Sequence, residues 1–122
     1  MTIWIKDKVR KGDKSAGEIG FPTVNLNPKK TGDIKEGIYS SQIKINGQVY
    51  LGVLFYGPRI VKNENNNVLE IHLLGFNGDL YGKILEFTIG EFVREVKNFK
   101  NIADLKKEIE SDIEKVKELA NH

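Results

Sequence analysis

Thr23 and Asn25 stand two apart in the short stretch Thr23-Val24-Asn25-Leu26. In an extended chain residues i and i+2 share a face, so their side-chain oxygens point the same way. These are neutral, hard donors of the kind Mg²⁺ accepts, an ion that fills most of its shell with water and phosphate oxygens. Two polar residues on a solvated strand face have the same spacing. Glu70 and His72 repeat the pattern in Leu69-Glu70-Ile71-His72-Leu73. A carboxylate and an imidazole on one strand face can move protons, or can simply be the polar side of a half-buried strand. Upstream, Gly12-Asp13-Lys14-Ser15-Ala16-Gly17-Glu18-Ile19-Gly20 is glycine-rich and carries a lysine. Such loops bring backbone N–H groups close to phosphates. The stretch lacks the Gly-Lys-Ser/Thr of the Walker pattern, and an ordinary turn has the same composition. Arg94, in Phe92-Val93-Arg94-Glu95, suits a surface ion pair or a bound anion. Tyr81, after Asp79-Leu80, suits the core or a stacking surface for an aromatic ligand.

Composition narrows what these groups can do. The chain has no cysteine, which excludes a disulfide scaffold, a zinc finger and thiol catalysis. Its two histidines are His72 and His122, so a multi-histidine metal site is excluded and a Ser-His-Asp triad would have to use His72. A length of 122 residues fits one domain, 1–122, large enough to bury a core. No apolar run approaches the ~20 residues that span a bilayer. Met1 to Arg10 is charged and alternating, unlike a signal peptide. The expected location is therefore the cytoplasm, with no membrane partner. A net charge of +2 is too small for nucleic-acid binding by bulk electrostatics. The charge is uneven, however: residues 1–62 carry 11 Lys/Arg against 5 Asp/Glu, and residues 63–122 carry 8 against 12. The basic half suits a phosphate-bearing partner and equally an ordinary solvated surface.

The elements that must position these residues are mostly strands. Twelve glycines in so short a chain imply many tight turns. Residues 3–9 and 23–26 read as short strands, separated by the glycine-rich loop and followed by a polar loop over 27–36. Residues 38–45 and 48–56 form the clearest hairpin, because Asn46-Gly47 accepts the positive φ that a type I′ turn needs. Residues 68–74 and 80–89 predict a second hairpin around Asn77-Gly78, and 91–97 a final strand. About six antiparallel strands at regular spacing suggest a small closed barrel over about 3–98. Ile102, Leu105, Ile109, Ile113, Val116 and Ala120 recur at steps of three and four, the stripe of an amphipathic helix over about 101–120. Asn101 can cap it, and its acids and lysines read as a solvated face. A closed barrel leaves little free strand edge, so a monomer is expected.

Taken in order, these segments resemble the riboflavin kinase (flavokinase) family over nearly the whole chain. Gly20-Phe21-Pro22-Thr23-Val24-Asn25-Leu26 is similar to the family's Gly-Phe-Pro-Thr-Ala-Asn signature. Glu36-Gly37-Ile38-Tyr39, Tyr50-Leu51-Gly52-Val53, Leu69 to Leu73, Asp79-Leu80-Tyr81-Gly82 and Arg94-Glu95-Val96-Lys97-Asn98-Phe99 resemble its later blocks. The chain departs from the pattern at Ala16-Gly17, at Ile60-Val61 and at Gly75. The resemblance implies a mainly β fold, a six-stranded antiparallel Greek-key closed barrel with a C-terminal helix. It implies transfer of a phosphoryl group from ATP to the ribityl 5′-hydroxyl of riboflavin, with Mg²⁺ or another divalent metal, giving FMN and ADP. By position, Thr23 and Asn25 would hold the metal. Gly12, Lys14, Gly20, Phe21, Pro22 and Thr23 would serve the nucleotide. Glu70 would be the general base, and Arg94, the second catalytic residue, would help bind the flavin and steady charge near the reaction. Leu73, Tyr81, Arg94 and Phe99 would lie against the flavin. The other readings that these features allow are a non-catalytic flavin- or nucleotide-binding module on the same barrel and a plain six-stranded interaction barrel. At this length no adenylyltransferase domain is expected beside the kinase.

Overall fold

Asn46 and Gly47 both take positive φ, 50° and 83°, so the expected type I′ turn joins β3 (Gly37–Ile45) to β4 (Gln48–Pro58). The two strands pair without a register break from Ile45↔Gln48 to Gly37↔Tyr56. This hairpin is the centre of the sheet. The remaining strands are β1 (Ile5–Lys8), β2 (Thr23–Leu26), β5 (Asn67–Leu73), β6 (Ile84–Phe87) and β7 (Phe92–Arg94), followed by helix α1 (Ile102–Ala120). A 3₁₀ turn at Pro28–Thr31 follows β2. The structure, a computed structural model, describes residues 2–10, 23–58 and 67–121.

The strand order is β1-β6-β3-β4-β5-β2, with β7 pairing β3 beside this path. Two expectations are corrected here. The first concerns the hairpin around Asn77-Gly78, which does not form. β5 lies between β4 and β2, whereas β6 lies between β1 and β3. The connecting segment is mostly exposed, with Leu80 buried in the core and Phe76 packed edge-on against Tyr50. Burial of Leu80 outweighs the local turn preference of Asn-Gly. The second concerns closure. The terminal strands β1 and β2 do not share a ladder; Arg10 makes one bridge to Asn25, its N–H donating to the Asn25 carbonyl at 2.7 Å. The Asp7 carboxylate also accepts from the Asn27 N–H at 2.8 Å. Each of these four-residue strands instead pairs along its whole length with its other neighbour, β1 with β6 and β2 with β5. The architecture is an open antiparallel sheet curled into a half-barrel, with a C-terminal helix.

The main core fills the concave side with Val24, Leu26, Tyr39, Ile43, Leu54, Leu69, Ile71, Leu85 and Phe87 among others. A smaller cluster lies on the opposite face. There Ile38 and Val53 pack against Val116 of α1, joined by the half-buried Phe55, Leu74, Val93 and Ile113. β4 is therefore buried on both faces in its middle, while Val49 near its start is 52% exposed. Asn101 caps α1 as expected, its side-chain oxygen accepting from the Asp104 N–H at 2.8 Å. The predicted stripe holds at Val116 and Ile113 but not at its start, where Ile102 is exposed.

Candidate active site

Strand register decides which candidate residues meet. β2 sets Thr23 opposite His72 and Asn25 opposite Glu70 on β5. β5 sets Glu70 opposite Phe55 and His72 opposite Val53 on β4. β4 continues to β3 with Phe55 opposite Ile38 and Val53 opposite Ser40, and β7 adds Arg94 opposite Ile38. Two rows thus cross the sheet, one running Asn25, Glu70, Phe55, Ile38, Arg94 and the other Thr23, His72, Val53, Ser40. Directly opposed residues share a face. Their alternating neighbours Val24, Leu26, Leu69 and Ile71 are in the main core, so both rows lie on the outer face, the one that α1 covers over β3 and β4. Thr23, Asn25, Glu70 and His72 are half-buried there. The two dipeptide-spaced pairs of the sequence become one four-residue patch beside the helix.

Arg94 lies at the far end of its row. Three inter-strand spacings separate it from Glu70, roughly 14 Å between backbones. Its guanidinium is held from the helix. Nε donates to Asp112 Oδ1 and Nη2 to Asp112 Oδ2, both at 2.8 Å. Nη1 donates to the Glu95 carbonyl at 2.9 Å. Glu108 Oε1 stands 3.2 Å from Nε and also takes a hydrogen bond from Lys97 Nζ at 3.0 Å. That hydrogen bond, with the positive charges of Arg94, Lys97 and Lys115, holds the Glu108 carboxyl below its ordinary value near 4.5, against the opposing effect of its burial.

The other predicted site residues are spread more widely. Leu73 is buried in the main core, on the opposite side of the sheet from Glu70, while the next residue, Leu74, packs with the cluster under α1. Tyr81 is 62% exposed on the turn before β6, its N–H bonded to the Asp79 side chain at 2.9 Å. That turn is tied to the end of β1, since the Gly82 N–H donates to the Val9 carbonyl at 3.0 Å. Tyr81 is thus anchored near the β1–β2 seam, and Phe99 is half-buried on the segment joining β7 to α1. Gly12, Lys14, Gly20, Phe21 and Pro22 lie outside the described residues, as do Ala16-Gly17 and Ile60-Val61. Arg10 and Thr23 flank the first of these segments; Arg10 bridges to Asn25 and Thr23 opens the strand that carries it. A cleft of about 580 Å³ bordered by Ile3, Gln42, Leu51, Gly90 and Leu119 contains none of the predicted site residues.

Asp112 and Glu108 are the residues that sequence reasoning misplaced, because the charged positions of α1 all read as solvated. The signal was present: Asp112 follows Ile109 by three and precedes Val116 by four, which puts an acid inside the apolar stripe.

Comparison with known proteins bears on the family and the fold. The flavokinase family profile, described as riboflavin kinase, matches residues 1–120. The chain is 36% identical over 114 residues to the RNA-binding riboflavin kinase RibR of Bacillus subtilis, covering 93% of this chain and 49% of that protein. It is 31% identical over 115 residues to the bifunctional riboflavin kinase/FMN adenylyltransferase of Haemophilus influenzae, covering 93% and 37%. The chain therefore spans half or less of the length of these curated relatives. In fold it is similar to a riboflavin kinase from Trypanosoma brucei, with a TM-score of 0.70 at 17% identity, covering 97% of this chain and 79% of that one. It is also similar to part of a macrolide-efflux protein from Streptococcus pneumoniae, with a TM-score of 0.83 at 22% identity, covering 95% and 38%. Because the profile runs almost end to end and includes every strand of the Glu70 face, this chain belongs to the riboflavin kinase family.

Proposed function

We propose that this chain phosphorylates riboflavin at the ribityl 5′-hydroxyl, using ATP and releasing FMN and ADP. The observation that carries the reading is the register Asn25↔Glu70 and Thr23↔His72. It gathers the one carboxylate of the patch and two neutral oxygen donors on a single half-buried face. Phosphoryl transfer asks for positioning and charge neutralisation more than for covalent chemistry. An alcohol is a poor nucleophile until its proton has an acceptor, and Glu70 is the acceptor in this reading.

The donor set fits a divalent ion of the magnesium type. Among the described residues no group of three or more His, Cys, Asp or Glu could hold a metal unaided. Thr23 and Asn25 offer two hard oxygens, which suits an ion that draws its other ligands from water and phosphate. Such an ion, when bound, supplies charge neutralisation at the phosphates. In the same reading Gly12, Lys14, Gly20, Phe21 and Pro22 contact the nucleotide, and Arg94, Tyr81 and Phe99 contact the flavin. Leu73 enters only through the backbone it shares with the site strand. Arg94, three strands from Glu70, serves the flavin end rather than the reacting hydroxyl. The substrates are small molecules, and the reading includes a cytoplasmic monomer without a nucleic-acid or membrane partner. In support, among the described residues no helix is long and apolar enough to cross a membrane.

The test is incubation of the protein with riboflavin, ATP and Mg²⁺, with FMN followed by chromatography. FMN is expected from the wild type. Glu70→Gln should lower turnover by roughly 10²–10⁴-fold, the range for losing a general base, with riboflavin affinity largely kept. Near-normal turnover in Glu70→Gln would remove the base assignment. Flavin binding by the wild type without turnover would make the chain a binding module instead.

A further inference from the structure

Asp112 is a carboxylate only 1% exposed, on a helix whose other charges mostly face solvent. Helix docking does not require it. Val116 and Ile113 already supply an apolar contact with Ile38, Val53 and Phe55, and a buried ion pair is often no more stabilising than an apolar pair of the same volume. What a bidentate carboxylate does confer is orientation, because the guanidinium is planar and its fork matches both oxygens at once.

The hydrogen-bond inventory of Arg94 points the same way. A guanidinium has five N–H groups. Two go to Asp112 and one to the Glu95 carbonyl. The other two, one on each terminal nitrogen, meet no acceptor among the described residues. The arginine is thus fixed on one edge and carries donors to spare. It stands in the same register row as Glu70, with the half-buried ring of Phe55 between them.

We infer that Asp112 is a positioning residue for the flavin: through its two-oxygen grip on Arg94 it aims the arginine's remaining N–H donors at the acceptor-bearing edge of the ring, making α1 part of the substrate site. The inference rests on the riboflavin kinase reading above. The span from Glu70 to Arg94, roughly 14 Å between backbones, exceeds a ribityl chain, so a ligand that reached both residues would continue past it into a ring system. Glu108 supports the arrangement from one turn earlier on the helix, 3.2 Å from Arg94 Nε.

The experiment measures riboflavin affinity by fluorescence quenching, and KM for ATP, in the full chain. The variants are Asp112→Asn, Asp112→Leu, Arg94→Ala and the double variant Arg94→Ala/Asp112→Asn. Circular dichroism selects a temperature at which each remains folded. Asp112→Asn should weaken riboflavin binding about tenfold, the scale of a lost charged hydrogen bond, while KM for ATP stays within about twofold. Asp112→Leu, which restores apolar packing without the grip, should bind riboflavin as weakly as Asp112→Asn. Losses in the double variant should not exceed those of Arg94→Ala alone, as for two residues acting through one contact. Wild-type affinity in folded Asp112→Leu, or additive losses in the double variant, would overturn the inference while leaving the kinase reading intact. A wild-type chain that binds no riboflavin would overturn both.

Discussion

At the scale of single residues, the proposed site rests on a few oxygens that strand register sets on one face. In the proposed reading Thr23 and Asn25 each offer one donor to the metal, and each can be removed without disturbing the core, since both are half-buried on the outer face. Thr23→Val and Asn25→Ala should each raise the Mg²⁺ concentration needed for half-maximal FMN formation by roughly tenfold, the equivalent of about 1.4 kcal/mol. A Mg²⁺ titration of initial rates checks this, and unchanged curves in both variants would remove the metal assignment. Glu108 makes a different prediction. Its folded pKa lies below its ordinary value near 4.5, so the unfolded chain takes up its proton first as pH falls. Its contribution to stability is therefore complete above that ordinary value and is lost as pH drops through the lower, folded one. Thermal melts of wild type and Glu108→Gln should differ most near neutral pH and converge as the pH falls through the lowered folded value. A difference that persists unchanged at acid pH would show that the carboxylate's charge is not what the helix uses.

At the scale of elements, β7 is the piece that links the site strands to the helix. It pairs β3 where β6 has left off, beyond a bend at which the Ser40 backbone and hydroxyl bond to Gly90 and Glu91 at 2.8–2.9 Å. Its seat depends on Gly37. A Cβ at Gly37 would lie 2.5 Å from the Arg94 carbonyl oxygen and 2.5 Å from Cε1 of Phe92. The obstructing atoms include backbone, so the strand itself must move. Gly37→Ala should therefore cost about 1–3 kcal/mol of stability, as overpacking does. It should weaken riboflavin binding more than ATP use, because the strand displaced carries Arg94 and not Thr23 or Asn25. Equal losses in both substrates would show that β7 is not specific to the flavin end. The periodicity of α1 and the Asn46-Gly47 turn are legible from the sequence, since each is decided by local residues. The hairpin expected at Asn77-Gly78 rests on the same local logic and fails, because β5 and β6 pair with other strands and burying Leu80 in the core outweighs a turn preference.

At the scale of the whole molecule, the riboflavin kinase profile runs over residues 1–120, and the match to a bifunctional riboflavin kinase/FMN adenylyltransferase covers 37% of that relative's length. If the proposed function holds, riboflavin, ATP and Mg²⁺ given to this chain should yield FMN; chromatography checks this, and FAD accumulating with FMN would mean that an adenylyltransferase activity resides on these strands too. Much of the candidate site is written in local pattern. Thr23 with Asn25, and Glu70 with His72, each share a face because strand side chains alternate, and nothing tertiary is needed to know it. The apolar residues that alternate with them mark which face is buried, and the helix stripe marks a partner for that sheet. What the sequence did not determine was which strand lies beside which. That choice is made by burial over the whole sheet and not by neighbours along the chain. It set Asn25 opposite Glu70, placed Arg94 three strands away, and left the two edge strands joined by one bridge instead of a ladder. Nor could local pattern assign Asp112, whose charge reads as solvent-facing until an arginine from another element arrives to pair with it. An isolated buried carboxylate is costly, so only the docked helix, with Arg94 in reach, gives Asp112 a reason to be inside.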